Sequence, residues 1–506
     1  MAATSSTSHM EHPKSQYHHF IPRFILKNFA HPPSRLKASS KQPRKGSKRS
    51  KNGGWKYNEP VIYVVDLSKP IAEIVERPVS RSFGMIDMYR DFRNSTNQHY
   101  LEEELSKLES RVGQIVTTIR KHFEEGKMEV WITRPERNTL RKFLFIMKYR
   151  NSRMHKRFFH QNGQGYSEDD REKLLRYMEE KGFTKPVDVW FDNIKGMLEL
   201  KMDVKDDWIQ DFPTRIYPDD AKWFIAHTQM MYLALCTTAN KDDEFLLTEN
   251  AYGIYEGPSS VFVNPSTGKV TISRYTEFHK FALISPKLMM VLRSFLLPVP
   301  EEDLNEDMKT YRDTMFKLNA VQHSRPSEAV SFLADLPINK PRNSYTRIVD
   351  GRVEPLDGRA DGSRRVDDKF CFRFFPLVTE HVNKINAIVL EESHSISGIV
   401  FKSHTGLQRA LEYYLPTSIA PGFKLCGDTA DDPRLRLLKK LEQLVNKIGS
   451  DVTTVYNTMN QQQTNQELHI EEHEEIWAQI IEKKLPKEPT ETMQLYIKLG
   501  RFISTQ

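Results

Sequence analysis

The chain has 506 residues, of which 38% are hydrophobic and 28% charged, and this length suits two or three domains with ample material for their cores. Its three cysteines, Cys236, Cys371 and Cys426, are odd in number and far apart, which argues against a disulfide scaffold or a zinc cluster. The formal charge of +7 belongs to one segment, because residues 12–58 hold twelve of the 74 Lys and Arg residues and no acid, which leaves 62 bases against 67 acids elsewhere.

The cellular compartment can be predicted from the same composition. No window approaches the roughly eighteen continuous apolar residues that a membrane-spanning helix needs. The N-terminal residues lack the basic and apolar regions of a secretory signal. With cysteines that fit a reducing environment, we expect a soluble intracellular protein, cytoplasmic or nuclear, without a membrane partner.

Residues 1–16 are predicted to be a disordered tail, and an opening box follows at residues 17–30, with the sequence YHHFIPRFILKNFA. Pro22 predicts a helix start, because the N–H that proline lacks has no partner in the first turn. The helix would bury its apolar side and hold His18 and His19 at its N-terminus. There the helix dipole and Arg23 favour an anion such as phosphate. The alternative is that both histidines are polar capping residues beside a docking helix.

Residues 35–51 are predicted to be a mobile basic insertion, since they contain almost nothing to bury. Such a segment is typical of a nuclear import signal or of an arm that contacts the phosphates of nucleic acid. It is equally compatible with a solvated loop, because no aromatic residues lie between the charges to stack on bases.

The next elements are strands at 61–65 and 72–76 and an amphipathic helix at 100–123. A capping box at 133–136 opens a long helix that we expect to continue into the basic stretch 148–157. Arg150 and Arg153 would share one face of it and bind phosphate together with the opening box. The alternative is that these cations only complement the helix dipole.

Further elements are predicted in the remaining chain. They are helices at 221–239, 287–292, 379–390, 406–414, 435–448 and 468–485, strands at 245–248, 252–255, 261–263, 269–272, 281–284 and 370–375, and a polar loop at 339–366. Together they predict an α+β core at 17–425, mostly helical, with a mixed or antiparallel sheet built chiefly from residues 245–285. Residues 432–506 form a helical extension, whose helices at 432–485 are candidates for self-association or for a protein partner.

The opening box also carries a resemblance. The pattern is His18-His19-x-x-Pro22-Arg23-Phe24-x-Leu26-x-Asn28-Phe29, with later matching segments at 281–287, 375–377 and 382–387. It resembles the opening signature of a widespread bacterial and fungal family catalogued as a domain of unknown function. The resemblance spans most of residues 17–415 and implies a shared fold without an established activity. Where this family commonly has a Thr-Ser-Asp-x-Pro turn, the chain has Thr248-Glu249-Asn250-Ala251-Tyr252, so Glu249 would replace the family's Asp or the role is lost.

A composite site follows as a hypothesis. His18 and His19 would bind a divalent metal, the one cofactor considered, or act as general base, with Glu249 or Asp87 as the carboxylate. Arg23, Arg150 and Arg153 would bind phosphate. These groups are those of a metal-dependent, nuclease-like phosphodiester hydrolase, and nucleic acid is the favoured ligand. The competing hypothesis is a non-enzymatic binding protein in which the box is structural. Neither a phosphate-binding loop nor a Gly-x-Ser-x-Gly elbow occurs in the sequence.

Overall fold

The computed structural model describes residues 15–34, 59–94, 96–263, 270–273, 276–323, 325–359, 363–418, 422–427, 431–458, 470–482, 493, 494 and 497. The predicted basic insertion at 35–51 and the first fourteen residues of the predicted tail lie outside these ranges.

Thirteen helices lie within the described residues. They are Arg23–Phe29 (α1), Tyr100–Glu124 (α2), Arg134–Tyr149 (α3), Ser152–Phe158 (α4), Arg171–Lys181 (α5), Pro186–Glu199 (α6), Trp208–Arg215 (α7), Pro218–Gln229 (α8), Glu306–Ala320 (α9), Thr379–Glu391 (α10), His404–Tyr414 (α11), Pro433–Lys447 (α12) and Ile470–Glu482 (α13).

The strands are shorter. They are Tyr17–His19 (β1), Val61–Asp66 (β2), Glu73–Pro78 (β3), Gly84–Ile86 (β4), Glu129–Thr133 (β5), Met231–Thr238 (β6), Leu247–Thr248 (β7), Tyr255–Glu256 (β8), Ser260–Val263 (β9), Val270–Ser273 (β10), His279–Ser285 (β11), Leu288–Ser294 (β12), Arg342–Asn343 (β13), Thr346–Val349 (β14), Arg352–Pro355 (β15), Lys369–Leu377 (β16), Gly398–Phe401 (β17), Leu425–Cys426 (β18) and Asn457–Thr458 (β19).

The main sheet has seven strands and is mixed. Its order is β13-β16-β6-β12-β11-β8, with β5 also paired to β16, and only the β16–β6 pair is parallel. A second, antiparallel sheet has the order β3-β2-β17-β7. The predicted α+β class, mostly helical with mixed sheets, is therefore confirmed. The region 245–285 contributes only β8 and β11 to the main sheet, so its expected share of that sheet was too large.

The central helix α3 begins as predicted and ends earlier than predicted. Thr133 and Glu136 form the capping box, in which the Thr133 N–H donates to the Glu136 carboxylate at 2.8 Å. The helix stops at Tyr149, because the Asn151 side chain accepts the N–H of Met154 at 2.9 Å and caps the separate helix α4. Arg150 and Arg153 therefore do not share one helix face, which corrects the prediction.

Two predicted helices are partly or wholly strands. The helix predicted at 221–239 ends at Gln229, and Met231–Thr238 is a central strand of the main sheet. The apolar run after Pro286 is also a strand, β12, since Pro286 occupies a tight turn between β11 and β12. Both runs are buried on two faces, a pattern that hydrophobic periodicity alone cannot assign to helix or strand.

The predicted loop and extension contain regular structure. The polar loop at 339–366 contains β13 and the antiparallel hairpin of β14 and β15. In the predicted extension, α12 buries its leucines in the same hydrophobic core as the rest of the chain. Helix α13 contacts α9. Among the described residues, no helix is both long and apolar enough to cross a bilayer.

Candidate functional site

The helix of the opening box follows Pro22 as predicted, and Ile25, Leu26 and Phe29 of α1 are fully buried. The residues before it form β1, which pairs with β4 and was not predicted. His18 is 1% exposed and its ring stacks on that of Tyr89. The backbone N–H of Tyr89 donates to Nδ1 of His18 at 3.0 Å. The box is thus joined to the core through a histidine.

The protonation state of His18 follows from this contact. Burial, helped by the neighbouring His99 and opposed by Asp87, lowers the pKa of His18 to about 4, so the ring is neutral near pH 7. Since Nδ1 accepts a hydrogen bond, the proton lies on Nε2, which has no partner among the described residues. A ring N–H suits an anion or a water molecule better than a metal ion.

His19 and two of the predicted arginines lie together. Burial lowers the pKa of His19, and the charges of Arg23 and Arg150 add to this effect. Arg23 is exposed, whereas Arg150 is 1% exposed and forms an ion pair with Glu109 of α2. Nε and Nη1 of Arg150 have no partner within the described ranges. The structure therefore brings His18, His19, Arg23 and Arg150 into one neighbourhood.

The predicted carboxylate belongs to a different environment. Glu249 accepts hydrogen bonds from the backbone N–H of Ser397 at 2.5 Å and from its hydroxyl at 3.0 Å. Burial raises the pKa of Glu249, although Ser397 and the charge of Lys156 oppose the rise. Its hydrogen bonds thus join β7 to the start of β17 rather than reaching either histidine.

We expect His18→Ala to lower the free energy of unfolding by about 2–4 kcal/mol, because it leaves a cavity and an unpaired buried N–H on Tyr89. This decrease in the free energy of unfolding should be complete above pH 6.5 and become smaller as the pH falls towards 4, because the folded protein holds the His18 ring neutral. Urea unfolding at several pH values measures it, with the half-buried His19→Ala as the matched control. An unchanged stability of His18→Ala would contradict a structural role.

A second group of polar residues lies in a cavity of about 930 Å³ beside the break between α3 and α4. Lys148 comes from the last turn of α3, and Trp223 and His227 come from α8. Lys280 lies at the start of β11 and Glu277 lies two residues before that strand. We call this space the basic cavity.

The floor of the basic cavity is a lysine cluster, formed by Lys148, Glu277, Lys280 and His227. Both ammonium groups form ion pairs with the Glu277 carboxylate, and Nζ of Lys280 donates to Nδ1 of His227 at 3.0 Å. The proton of the neutral His227 ring is then on Nε2, a buried atom without a partner in the described part of the chain. The cluster therefore holds a buried ring N–H donor and, when both lysines are protonated, one positive charge in excess.

Burial and the neighbouring charges shift the pKa values of the side chains in the lysine cluster. Burial and the nearby Lys280 lower the pKa of Lys148 to about 7, although Glu277 opposes the change. Burial alone would raise the pKa of Glu277, but the two lysines outweigh it and hold the pKa at about 2. Burial and the surrounding cations keep the pKa of His227 well below its usual value. Lys148 can therefore gain or release a proton near pH 7.

The wall of the cavity is also basic. Its lining has five Lys or Arg residues against two Glu. Arg157 is held by Tyr166 and Asp170, whereas Arg153 and Lys156 are exposed and form no ion pair within the described residues. The predicted phosphate-binding residue Arg153 thus lies in this cavity and not beside the opening box.

Two half-buried aromatic side chains complete the lining. Nζ of Lys148 lies 4.4 Å from the ring centre of Trp223 and 5.2 Å from that of Tyr255. Aromatic faces beside cations are the groups on which proteins stack nucleic-acid bases. The basic cavity therefore combines phosphate donors with stacking surfaces.

The described side chains can be compared with the set of ligands that a metal ion needs. Within the described ranges, no group of three or more His, Cys, Asp or Glu side chains is placed to hold a metal ion. His18 and His19 supply at most two imidazoles, and Glu249 is held elsewhere by Ser397.

The sequence analysis did not identify Lys148, His227, Glu277 and Lys280 as a site. The one available signal was the basic stretch 148–157, which includes Lys148 and Arg153. His227 lies in an apolar helix and Glu277 and Lys280 lie in a different part of the sequence, so only the folded chain brings them together.

Comparisons with known proteins give one match. The model of a family described as "Protein of unknown function (DUF4238)" matches residues 17–405, which include the opening box and all of the basic cavity. No curated protein and no solved structure matches the chain.

Proposed function

Because the chain belongs to the DUF4238 family, which is described as of unknown function, we propose a function from its geometry: the protein is associated with nucleic acid and holds phosphate groups in the basic cavity. The lysine cluster carries this proposal. Two buried lysines share one carboxylate at the floor of an open cavity, beside a buried N–H of His227 that has no partner among the described residues. Excess buried positive charge and an unused donor are complementary to a phosphate.

Nucleic acid is favoured over other anions by the rest of the lining. Arg153 and Lys156 add positive charge where a phosphate chain would enter, and Trp223 and Tyr255 offer faces for bases. The basic segment at 35–51 supplies further positive charge for the same kind of partner. A protein partner through the helices at 432–485 stays a separate proposal.

Hydrolysis of the bound phosphodiester is a second candidate function. His18 and His19, with a divalent metal, would form the catalytic site, and Arg23 and Arg150 would bind phosphate, whereas Glu249 is held by Ser397 and Arg153 lies in the basic cavity. The observation in its favour is that Nε2 of both histidines lacks a partner among the described residues, next to the charges of Arg23 and Arg150. The proton on Nε2 of His18 favours proton donation or a phosphate contact over metal ligation.

One experiment separates these functions. Purified protein is incubated with labelled single-stranded nucleic acid in magnesium, manganese or chelator, and both binding and cleavage are measured. Metal-dependent cleavage that a His18→Ala, His19→Ala variant of verified fold loses would support the hydrolase. Binding without cleavage would support a non-enzymatic protein, and the absence of binding would contradict the proposed function.

Deletion of residues 35–51 should flatten the salt dependence of binding without abolishing it. Each phosphate contact to a single strand contributes about 0.7 to the slope of log affinity against log salt, so several lost contacts give a clear change. A deletion of residues 2–14 of the N-terminal tail, which is somewhat shorter, is the control for chain shortening. An unchanged slope would exclude this segment as a nucleic-acid contact.

A further inference from the structure

A second cavity, of about 400 Å³, adjoins the basic cavity. The two share Arg153, Lys156 and Tyr255 in their linings. We call these three residues the ridge. The two cavities therefore meet at the exposed Arg153 and Lys156 of α4 and at the ring of Tyr255.

The ridge is suited to a phosphate chain. Arg153 and Lys156 are three residues apart on α4, so their side chains extend from the same side of the helix. Both are exposed and without an ion pair in the described residues. A strand that crosses the ridge would meet a cation on leaving either cavity.

The second cavity has polar and basic linings of its own. Arg434 is part of it, and its guanidinium donates to the carbonyl of Leu425 at 3.3 Å. Asn250, His394 and the exposed Ser395 add polar side chains. Besides the ridge, its charged side chains are Glu392 and Arg434, and Arg434 lies 3.8 Å from the Glu391 carboxylate. The positive charge shared by the two cavities therefore lies at the ridge, and beyond it the lining is polar.

The size and depth of these spaces restrict the ligand. A site for one small molecule measures roughly 300–1,000 Å³, so the basic cavity alone is near the upper end and the second cavity is additional room. The Lys148 and Lys280 side chains at the floor are only 8% and 4% exposed. Phosphates on the outside of a rigid duplex would not reach them, whereas a flexible single strand can enter.

We propose that the two cavities form one track for a single-stranded oligonucleotide, which places one phosphate over the lysine cluster and at least one more at the ridge, from which the strand continues into the second cavity. This inference rests on the proposed function and specifies its ligand. Mononucleotides would fill only part of the track, and duplexes would be excluded from its floor.

The test is fluorescence anisotropy with labelled mononucleotide, dinucleotide, hexanucleotide and a blunt hairpin duplex at constant salt. We expect affinity to rise at least about tenfold from the mononucleotide to the hexanucleotide, because charged contacts at the ridge and polar contacts beyond it are added. The hairpin should bind at least about tenfold more weakly than the hexanucleotide.

Ser395 allows a matched set of variants, since it is exposed and lines only the second cavity. Ser395→Glu should weaken and Ser395→Lys should strengthen hexanucleotide binding, while Lys309→Met, at an exposed lysine that lines neither cavity, leaves it unchanged. All three should bind the mononucleotide like the unmodified protein. A change in folding would not weaken hexanucleotide binding in Ser395→Glu and strengthen it in Ser395→Lys.

Two failures are distinguishable. Equal affinity for mononucleotide and hexanucleotide, or duplex binding as tight as that of the single strand, would overturn the track and leave the proposed function standing. The absence of binding for every nucleic acid would overturn both.

Discussion

Neutralising the lysine cluster with Lys148→Met, Glu277→Gln and Lys280→Met together is expected to weaken single-stranded nucleic-acid binding more than about hundredfold. The estimate is for two charge-assisted hydrogen bonds to phosphate, each worth roughly 1.5–3 kcal/mol. The fold should survive, because replacing a whole buried ionic cluster by neutral groups of similar size is often neutral or stabilising.

The measurement is a binding titration beside urea unfolding of the same samples. Lys309→Met is the matched control, since Lys309 is an exposed lysine of α9 that pairs with Glu306 far from the cavity lining. A triple variant that is stably folded and binds as tightly as the unmodified protein would rule the lysine cluster out as the phosphate site.

Replacing Glu277 alone should lower the stability of the fold, whereas neutralising the whole lysine cluster should mainly weaken nucleic-acid binding. Glu277→Gln leaves Lys148 and Lys280 buried without a counter-charge, and breaking a buried ion pair in this way costs about 3–5 kcal/mol. We therefore expect a loss of about 3 kcal/mol in the free energy of unfolding at neutral pH. Glu168→Gln, an exposed carboxylate on the same cavity, should change it by less than about 0.5 kcal/mol.

The effect of Glu277→Gln should depend on pH in a defined direction. Lys148 and Lys280 lower the pKa of Glu277 from 4.5 to about 2, so its carboxylate stabilises the fold above pH 4.5, and this contribution disappears as the pH falls towards 2. The difference between variant and unmodified protein should therefore shrink in acid. A difference that stays constant from neutral pH to about pH 3 would contradict the ion pairs with Glu277.

The pKa values also bear on why the chain keeps this cluster. The lowered pKa of Lys148 means that burial costs more than its attraction to Glu277 repays. The Lys148 ammonium is thus not a net source of stability, whereas the Glu277 carboxylate is. Buried charges that cost stability and face an open cavity fit a binding role better than a structural one.

The sequence predicted the parts of the fold that local patterns determine. The spacing of apolar residues predicted α2, the capping box of Thr133 and Glu136 predicted the start of α3, and Pro22 predicted α1. The α+β class followed from these and from the strands around residues 261–284. Where an apolar run is buried on both faces, as in β6 and β12, pairing with other strands decides its structure and local patterns do not.

The site was less predictable because it depends on contacts between distant segments. His18, His19, Arg23 and Arg150 are neighbours, as the hypothesis required, but Glu249 is held by Ser397 and Arg153 lies in the basic cavity. The break at Asn151 explains this separation, since it ends α3 before Arg153. Lys280 and Glu277 carry no local signal and meet Lys148 only across 129 residues and more.

The central claim, that the basic cavity holds nucleic acid, is tested most directly by photocrosslinking. A single-stranded oligonucleotide with a photoreactive base is irradiated on the full-length protein, and the crosslinked peptides are identified by mass spectrometry. We predict crosslinks at Trp223 and Tyr255 and in the peptides that contain Lys148 and Arg153, which the triple neutral variant loses. Crosslinks confined to residues 35–51 or to α1, unaffected by that variant, would contradict the account.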